Sequence, residues 1–277
     1  MSDIKTNTKN VWGASPAGTT SSKAKPKTKK FFEEAFKYRA EYEQPWLYEV
    51  IPFKDFRDKK VLEIGCGAGF DAYNITREGA IYSGIDITPE NIERTKTHLG
   101  FFELNGEILE ADAESLPSKW EGEFDIVYSN GVLHHTPDMK KSFSEAYRVL
   151  KSNGEFYVIV YHKNSLFYWF TLFFVKHLLL LGFLKMGFKE RLSRIEFTTS
   201  DDLPLVNVYS KEEVKNIMQE VGFEVEGIKV RKLVKEDMPY LPIIRSIWKL
   251  IPQRVYDSIG KYFGWYVIAK GIKRIEN

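Results

Sequence analysis

The sequence has little cysteine, little net charge and no apolar leader. Cys66 is the single cysteine among 277 residues, which excludes a disulfide framework and a cysteine-rich metal site. One thiol is typical of a reducing compartment, so we expect a cytoplasmic protein that is not secreted. The formal net charge of +2 gives no reason to expect nucleic acid as a partner.

Apolar and aromatic side chains are abundant instead. The 43% of hydrophobic residues can fill a sizeable core, and the length fits one domain, with or without insertions. Residues 1–29 differ, because they are rich in Lys, Thr, Ser, Gly, Ala and Pro without a hydrophobic period, which predicts a flexible tail. Trp12 within it is either a loosely packed anchor or part of a lid over a ligand.

Strand and helix patterns alternate through the middle of the chain. Strands are predicted at 60–64, 81–85, 106–110, 124–129 and 155–161, and two more at 223–230 and 265–270. This rhythm predicts an α/β fold: a doubly wound, mostly parallel seven-stranded sheet, Rossmann-like, with helical cap insertions. We divide the chain into a helical cap (30–58), the core (59–163), an apolar helical insertion (164–208) and the rest of the core (209–277), with a helical insertion at 241–263.

The stretch VLEIGCGAGF, residues 61–70, places alternate glycines directly after the first strand. Glycines at a strand-to-helix turn let a ligand approach the backbone and tolerate positive φ. A dinucleotide fingerprint, G-x-G-x-x-G, needs a third glycine where Phe70 stands. The pattern formed by Glu63, Gly65, Gly67 and Gly69 instead resembles motif I of class I S-adenosylmethionine-dependent methyltransferases.

An acid follows each of the next two strands. Asp86 ends the second strand, where a carboxylate can accept hydrogen bonds from both hydroxyls of a ribose; the alternative is an ordinary acid at a helix N-terminus. For Asp112, after the third strand, the resemblance implies a hydrogen bond from the adenine amino group, and a loop cap is the alternative. Ile87 and Ala113 would then flank the adenine through apolar contact and a backbone N–H.

The resemblance covers about residues 59–163 and is closest to the small-molecule branch that includes quinone-biosynthesis enzymes. It implies S-adenosylmethionine as cofactor and displacement of its methyl group by a nucleophile of the acceptor. Asn130 and His135, within FDIVYSNGVLHHTPD (124–138), are the candidates near that methyl group. We expect His135 to be either a general base with a pKa near working pH or a packed histidine.

Further side chains lie at the same predicted edge. Tyr161 and His162 end the fifth strand and are candidates for binding the acceptor. The histidines and acids nearby do not have the spacing of a metal signature, so we expect no metal. Residues 130–133, Asn-Gly-Val-Leu, lack the Asn/Asp-Pro-Pro-aromatic stretch of enzymes that methylate nucleic-acid amino groups.

Two apolar insertions are the main indication of the acceptor. The run at 165–188 is interrupted by Lys176, His177 and Lys185, and its uninterrupted part is shorter than the ~20 residues of a membrane span. Together with 241–263 it forms buried core, a lid over a hydrophobic pocket or a peripheral membrane contact. A lipid or quinone-like acceptor is favoured.

Other functions and the assembly remain open. A sugar or a peptide natural-product precursor is the alternative acceptor. A cofactor-binding scaffold without activity and a nicotinamide-dependent oxidoreductase or epimerase are the alternatives from other classes. The sequence leaves the oligomeric state open.

Overall fold

The computed structural model describes residues 2–14, 18–195, 202–239 and 245–274. Seven strands form one sheet in the order β3-β2-β1-β4-β5-β7-β6. Strands β1 to β5 run parallel, whereas β7 is antiparallel to both β5 and β6. The strands are β1 (Lys60–Ile64), β2 (Ile81–Asp86), β3 (Glu107–Glu110), β4 (Phe124–Asn130), β5 (Leu150–Tyr161), β6 (Glu224–Arg231) and β7 (Tyr266–Ile272).

Helices cover both faces of this sheet, as the alternating pattern predicts. They are α1 (Ser2–Ala14), α2 (Lys29–Tyr38), α3 (Leu47–Val50), α4 (Phe70–Arg77), α5 (Pro89–Gly100), α6 (Met139–Val149), α7 (Phe188–Ser193), α8 (Lys211–Val221), α9 (Arg245–Leu250) and α10 (Gln253–Phe263). Two further segments, Arg39–Glu43 and Phe167–Leu179, are π-helical. None of the helices in the described ranges is long and apolar enough to cross a membrane.

The core consists of two apolar layers, one on each side of the sheet. Alternate side chains of a strand point to opposite faces, so Val61 packs in one layer and Leu62 and Ile64 in the other. Helices α4 and α5 contribute to the first layer, and α6 and α8 to the second. The predicted doubly wound α/β fold is therefore confirmed.

The N-terminal region corrects one prediction. Residues 2–14 form helix α1 and do not lack regular structure. Val11 of this helix is buried, and the Arg94 guanidinium of α5 donates a hydrogen bond to the carbonyl of Gly13 at 2.7 Å. The helix therefore depends on contacts with distant residues, which its own sequence does not reveal.

The predicted cap packs against the glycine-rich turn. Phe31 and Phe32 of α2 form a buried cluster with Ala68 and Phe70, which belong to that turn and to the start of α4. Helical structure is also present in both predicted insertions, as the π-helix Phe167–Leu179 with α7, and as α9 with α10. Positions 196–201 and 240–244 of these insertions lie outside the described residues.

Candidate cofactor site

A cavity lies at the carboxyl ends of the central strands. Strand β1 pairs with β2 on one side and with β4 on the other, so the order of the strands along the chain reverses at β1. Ligands of open α/β sheets bind at this point. The cavity is lined by the predicted residues Glu63, Gly65, Gly67, Asp86, Ile87, Asp112, Ala113, Asn130 and His135, together with Lys5, Thr8, Trp12, Arg39 and Asp71.

Glycine is required at the three positions for different physical reasons. All have positive φ: 84° at Gly65, 54° at Gly67 and 78° at Gly69. A Cβ at Gly65 would lie 2.3 Å from Cγ2 of Val132, and one at Gly69 would lie 3.0 Å from Cα of Thr95. At Gly67 a Cβ would meet no atom within 4 Å. Gly65 and Gly69 therefore allow close packing of the protein, and Gly67 is the one that leaves space at the cavity.

Asp86 is fixed at the end of β2 by backbone donors. The N–H of Gly67 donates to its Oδ2 and the N–H of Thr88 to its Oδ1, each at 2.9 Å. Burial raises the pKa of this carboxyl above its usual value, and the two N–H donors oppose that rise. Each carboxylate oxygen has a second lone pair, so the side chain can still accept from the two hydroxyls of a ribose.

Asp112 is reached by the N-terminal helix. Lys5 Nζ of α1 lies 2.5 Å from Oδ2 of Asp112 and 2.7 Å from Oε2 of Glu114. The N–H of Glu114 donates to the other oxygen, Oδ1, of Asp112 at 2.9 Å. Helix α1 thus covers the cavity at the acid assigned to adenine, and its Trp12 also lines the cavity, which agrees with the lid alternative given for this residue.

A buried polar cluster at the cavity was missed by the sequence analysis. Arg39 Nη2 donates to Oδ2 of Asp71 at 2.8 Å, and Tyr128 Oη donates to the same oxygen at 3.0 Å. Arg39 Nε and Asp71 Oδ1 are buried without a hydrogen-bond partner in the described structure. Burial opposes the guanidinium charge, but the carboxylates of Asp71 and Glu43 raise the pKa of Arg39. An amino-acid group with one carboxylate and one ammonium would complete this cluster.

Glu63 and Asn130 support the same cluster from β1 and β4. Tyr82 Oη donates to Oε2 of Glu63 at 2.6 Å. Burial, followed by the charge of Asp71, raises the pKa of Glu63 well above its usual value. Asn130 Nδ2 donates to Gln44 Oε1 at 2.8 Å and to Asp71 Oδ2 at 2.9 Å, which ties the cap to the sheet. The cofactor contact of Asn130 stays a prediction.

His135 lies at the other end of the lining, against α1. Its ring centroid is 5.1 Å from that of Trp12, and its Nδ1 lies 2.7 Å from the carbonyl oxygen of Leu205. A carbonyl only accepts, so Nδ1 carries the hydrogen and Nε2, which is buried without a hydrogen-bond partner in the described structure, has the free lone pair. Burial lowers the pKa of His135 to about 4, so the expected pKa near working pH is wrong.

Tyr161 and His162 do not line this cavity. His162 is buried, and its Nδ1 lies 3.0 Å from the carbonyl oxygen of Gly264. Tyr161 stacks between the rings of His134 and Trp265, with centroid distances of 3.9 and 4.5 Å. Both side chains therefore belong to the packing beneath the site, and a direct contact with the acceptor stays a prediction.

The charged side chains of the cavity fit S-adenosylmethionine. Across the described ranges, no three His, Cys, Asp or Glu side chains are grouped as metal ligands. The cavity instead presents four carboxyl groups and two basic side chains, which suits a ligand with a sulfonium, an ammonium, a carboxylate and a ribose. The carboxyls belong to Glu63, Asp71, Asp86 and Asp112, and the basic groups to Lys5 and Arg39.

Solved structures show the same class of fold. A methyltransferase dependent on S-adenosylmethionine from Methanosarcina mazei superposes with a TM-score of 0.57 at 21% identity, over 84% of this chain and 98% of that one. One from Mesorhizobium loti gives 0.55 at 15% identity, over 83% and 97%. With the glycine turn and the acids, this fold defines a class I methyltransferase architecture.

The family follows from the sequence comparison. The family described as "Methyltransferase domain" matches residues 55–222, and the chain belongs to it. It thus carries a methyltransferase domain whose cofactor is S-adenosylmethionine. Curated relatives include ubiquinone biosynthesis O-methyltransferases of Erwinia tasmaniensis and Escherichia coli, each 28% identical over 107 residues. The match spans 39% of this chain and 44% and 45% of those relatives.

Proposed function

We propose that this chain transfers the methyl group of S-adenosylmethionine to a small hydrophobic acceptor of lipid or quinone type. The observation that carries the proposal is a series of aromatic ring contacts, mostly buried, that connects the cavity lining to the first insertion. It runs from His135 to His134, Tyr161, Trp265 and Phe167, with successive centroid distances of 4.1, 3.9, 4.5 and 5.0 Å. The names of the curated relatives, which refer to ubiquinone, support the same acceptor class.

The residues of the cavity would hold the cofactor in a fixed orientation. We assign the ribose hydroxyls to Asp86, the adenine amino group to Asp112, and the carboxylate of the methionine part to Arg39. The cofactor supplies a methyl group that its sulfonium has already activated. Orientation and electrostatic fit then account for most of what the protein must contribute.

His135 would take the proton of the nucleophile. Its Nε2 lone pair is kept available because Nδ1 donates to the carbonyl of Leu205. With a pKa lowered to about 4, the ring is neutral at pH 7 but is a weak base. A phenolic or quinol hydroxyl loses its proton more easily than an alcohol and so needs less help from this base, which favours such an acceptor.

The test is transfer of a labelled methyl group to matched acceptors. A catechol with a prenyl tail, the same catechol without the tail, a sugar and a peptide would be compared in kcat/KM. We expect the prenylated catechol to be methylated fastest. Preference for the sugar or the peptide would assign the alternative acceptor, and cofactor binding with no turnover on any of them would support a scaffold without activity.

A further inference from the structure

The first insertion carries an exposed apolar tip, residues 178–184, between its π-helix and α7. In this tip four consecutive leucines, 178 to 181, together with Phe183 and Leu184, are exposed, and Leu184 reaches 72%. Single exposed apolar residues are common on protein surfaces, but a contiguous group of this size marks an interaction site. The tip therefore lacks the cover that ordinary core packing gives.

The tip has a defined conformation. Gly182 is buried, and the Arg191 guanidinium donates a hydrogen bond to its carbonyl at 3.0 Å. A Cβ at Gly182 would lie 2.1 Å from the carbonyl oxygen of Lys176, so only glycine fits there. Leu181 has φ of 52°, in the region that favours glycine. A leucine at that position adds exposed apolar surface where glycine would be conformationally easier.

The second insertion adds another exposed apolar stripe. Val255, Ile259, Tyr262 and Phe263 are exposed and follow one another at helical spacing along α10. The adjacent face is packed, since Tyr256 is buried and its hydroxyl donates to the carbonyl of Trp248 at 2.6 Å. Helix α10 is thus amphipathic although one apolar stripe faces solvent.

The two insertions form one body. Leu166 and Phe170, at the start of the first insertion, pack on the same buried cluster as Trp248 and Ile251 of the second. The cluster itself consists of Leu233, Met238 and Tyr256. Fourteen of the twenty large hydrophobic side chains that are exposed in the described ranges belong to these two insertions.

Basic side chains are concentrated around the tip and along the second insertion, whereas the whole first insertion, 164–208, has five lysines and arginines against four acids. Residues 165–195 contain five lysines and arginines and one acid, Glu190, which pairs with Arg194 at 3.0 Å. Residues 245–263 contain four basic residues and one acid, Asp257. The side chains of Lys176, Lys185, Lys189, Lys249 and Lys261 are exposed beside the apolar residues.

We propose that this body docks on the surface of an anionic lipid bilayer. Exposed leucines and aromatic rings enter the interface between headgroups and acyl chains, and the lysines are attracted to the negatively charged headgroups. An acidic lipid surface satisfies both features at once, whereas a purely apolar partner would leave the basic groups without counter-charges. This docking does not depend on which acceptor is methylated.

The experiment is flotation of the full chain with vesicles of phosphatidylglycerol and phosphatidylcholine, at low and high salt. We expect binding that falls with salt and is much weaker on pure phosphatidylcholine. Replacement of Leu179, Leu180 and Leu184 together by serine should lower the affinity for the vesicles at least ten-fold. The control replaces Tyr42 and Ile81, which are exposed elsewhere, by serine and should bind as the wild type does.

A second pair of variants separates charge from apolar contact. Replacement of Lys176, Lys185 and Lys189 by glutamine should remove most of the salt dependence of binding. The same change at Lys54, Lys96 and Lys215, which are exposed on other elements, lowers the net charge of the protein by the same amount and should have little effect on binding.

The variant Leu181→Gly tests the tip without a risk to folding. Glycine suits the positive φ of this position, so the thermal midpoint should be kept or raised. Vesicle affinity should nevertheless fall, because exposed apolar surface is lost.

Several results would overturn the proposal. One is absence of vesicle binding by the folded chain at low salt, and another is equal binding by the triple-serine variant. A dimer in light scattering that the triple-serine change dissociates, without vesicle binding, would assign the surface to a second copy of the chain. Vesicle binding is measured without methyl transfer. Absence of vesicle binding would therefore not contradict the proposed function, and absence of methyl transfer would not contradict the membrane docking.

Discussion

The cofactor cavity and the body formed by the insertions use their side chains in opposite ways. In the cavity, charged groups are buried and held by partners, as Asp86 is by two backbone N–H groups and Asp71 by Arg39. In the insertions, leucines and aromatic rings are exposed, up to 81% at Leu250. Both arrangements are costly for an isolated chain, because buried charges and exposed apolar surface each need compensation.

We propose that the two regions bind two different ligands. The cavity is complementary to a small polar cation, which would complete the hydrogen bonds of buried groups. For the insertions we propose an extended surface that is apolar and negatively charged. Matched substitutions in the two regions separate the two functions, because a change in one region should leave the readout of the other unchanged.

The largest effect is expected at His135. His135→Asn should lower kcat about 100-fold or more, because the proton acceptor is lost, with little change in cofactor affinity. The matched change His177→Asn in the insertion should leave kcat unchanged. Full activity of His135→Asn would mean that His135 is a packed histidine with no part in proton transfer.

The dependence of activity on pH in the acidic range tests the same residue. A protonated His135 accepts no proton, so activity should fall as the pH falls through the lowered pKa of about 4 and should be flat above about pH 5. The measurement is kcat/KM over the range in which circular dichroism shows a folded protein. A limb near the usual histidine value of about 6.5 would contradict the burial of this ring.

The next effect is expected at Asp86. Asp86→Ala should weaken binding of S-adenosylmethionine by ~2 kcal/mol, roughly 30-fold, through loss of charge-assisted hydrogen bonds. Titration calorimetry measures it, with Asp257→Ala in α10 as the control that keeps wild-type affinity. Unchanged affinity in a folded Asp86→Ala protein would remove the ribose assignment.

A substitution at Gly67 tests whether the ligand needs the open space at the glycine turn. Gly67→Ala should lower cofactor affinity about ten-fold, or ~1.4 kcal/mol, because a Cβ would occupy open space at the cavity lining, and alanine strained at φ 54° would displace the N–H that holds Asp86. Gly122→Ala is the control, because Gly122 has a φ of 61° and a Cβ there would also meet no atom within 4 Å. Calorimetry gives the affinities and thermal unfolding the stabilities. Equal affinity of Gly67→Ala and wild type would show that the ligand does not approach this turn.

The smallest effect is expected at Lys5. Its ion pairs with Asp112 and Glu114 are partly exposed, so Lys5→Met should speed release of S-adenosylhomocysteine a few-fold, about 1 kcal/mol or less. Stopped-flow tryptophan fluorescence, to which Trp12 in the cavity lining contributes, follows the release, and Lys185→Met is the control. Slower release from Lys5→Met would mean that Lys5 competes with adenine for Asp112 and does not hold α1 closed.

Local sequence signals were sufficient for the core of the fold. The bounds of β1 agree with the prediction, because an apolar run is followed at once by the glycine turn. The spacing of Ser210 and Glu213 is likewise that of a capping box, and in α8 the two residues exchange hydrogen bonds at 3.1 and 2.7 Å. These features depend on neighbouring residues, so the sequence displays them directly.

Features that depend on distant contacts escaped prediction. Helix α1 has no apolar period, and its ends are held by Asp112 and Arg94, about 80 to 110 residues away. Arg39 has no motif of its own and meets Asp71 only through the packing of the cap. Composition predicted apolar insertions, but which of their leucines face solvent follows from how the two insertions pack on each other.

The most direct measurement is calorimetric titration of the full chain with S-adenosylmethionine and with S-adenosylhomocysteine. Burial of the ligand among the four cavity carboxyls and Arg39 predicts micromolar binding of both, and the same affinities for the triple-serine variant of the tip. No heat with either compound, in a sample that circular dichroism shows to be folded, would contradict the assignment of this cavity.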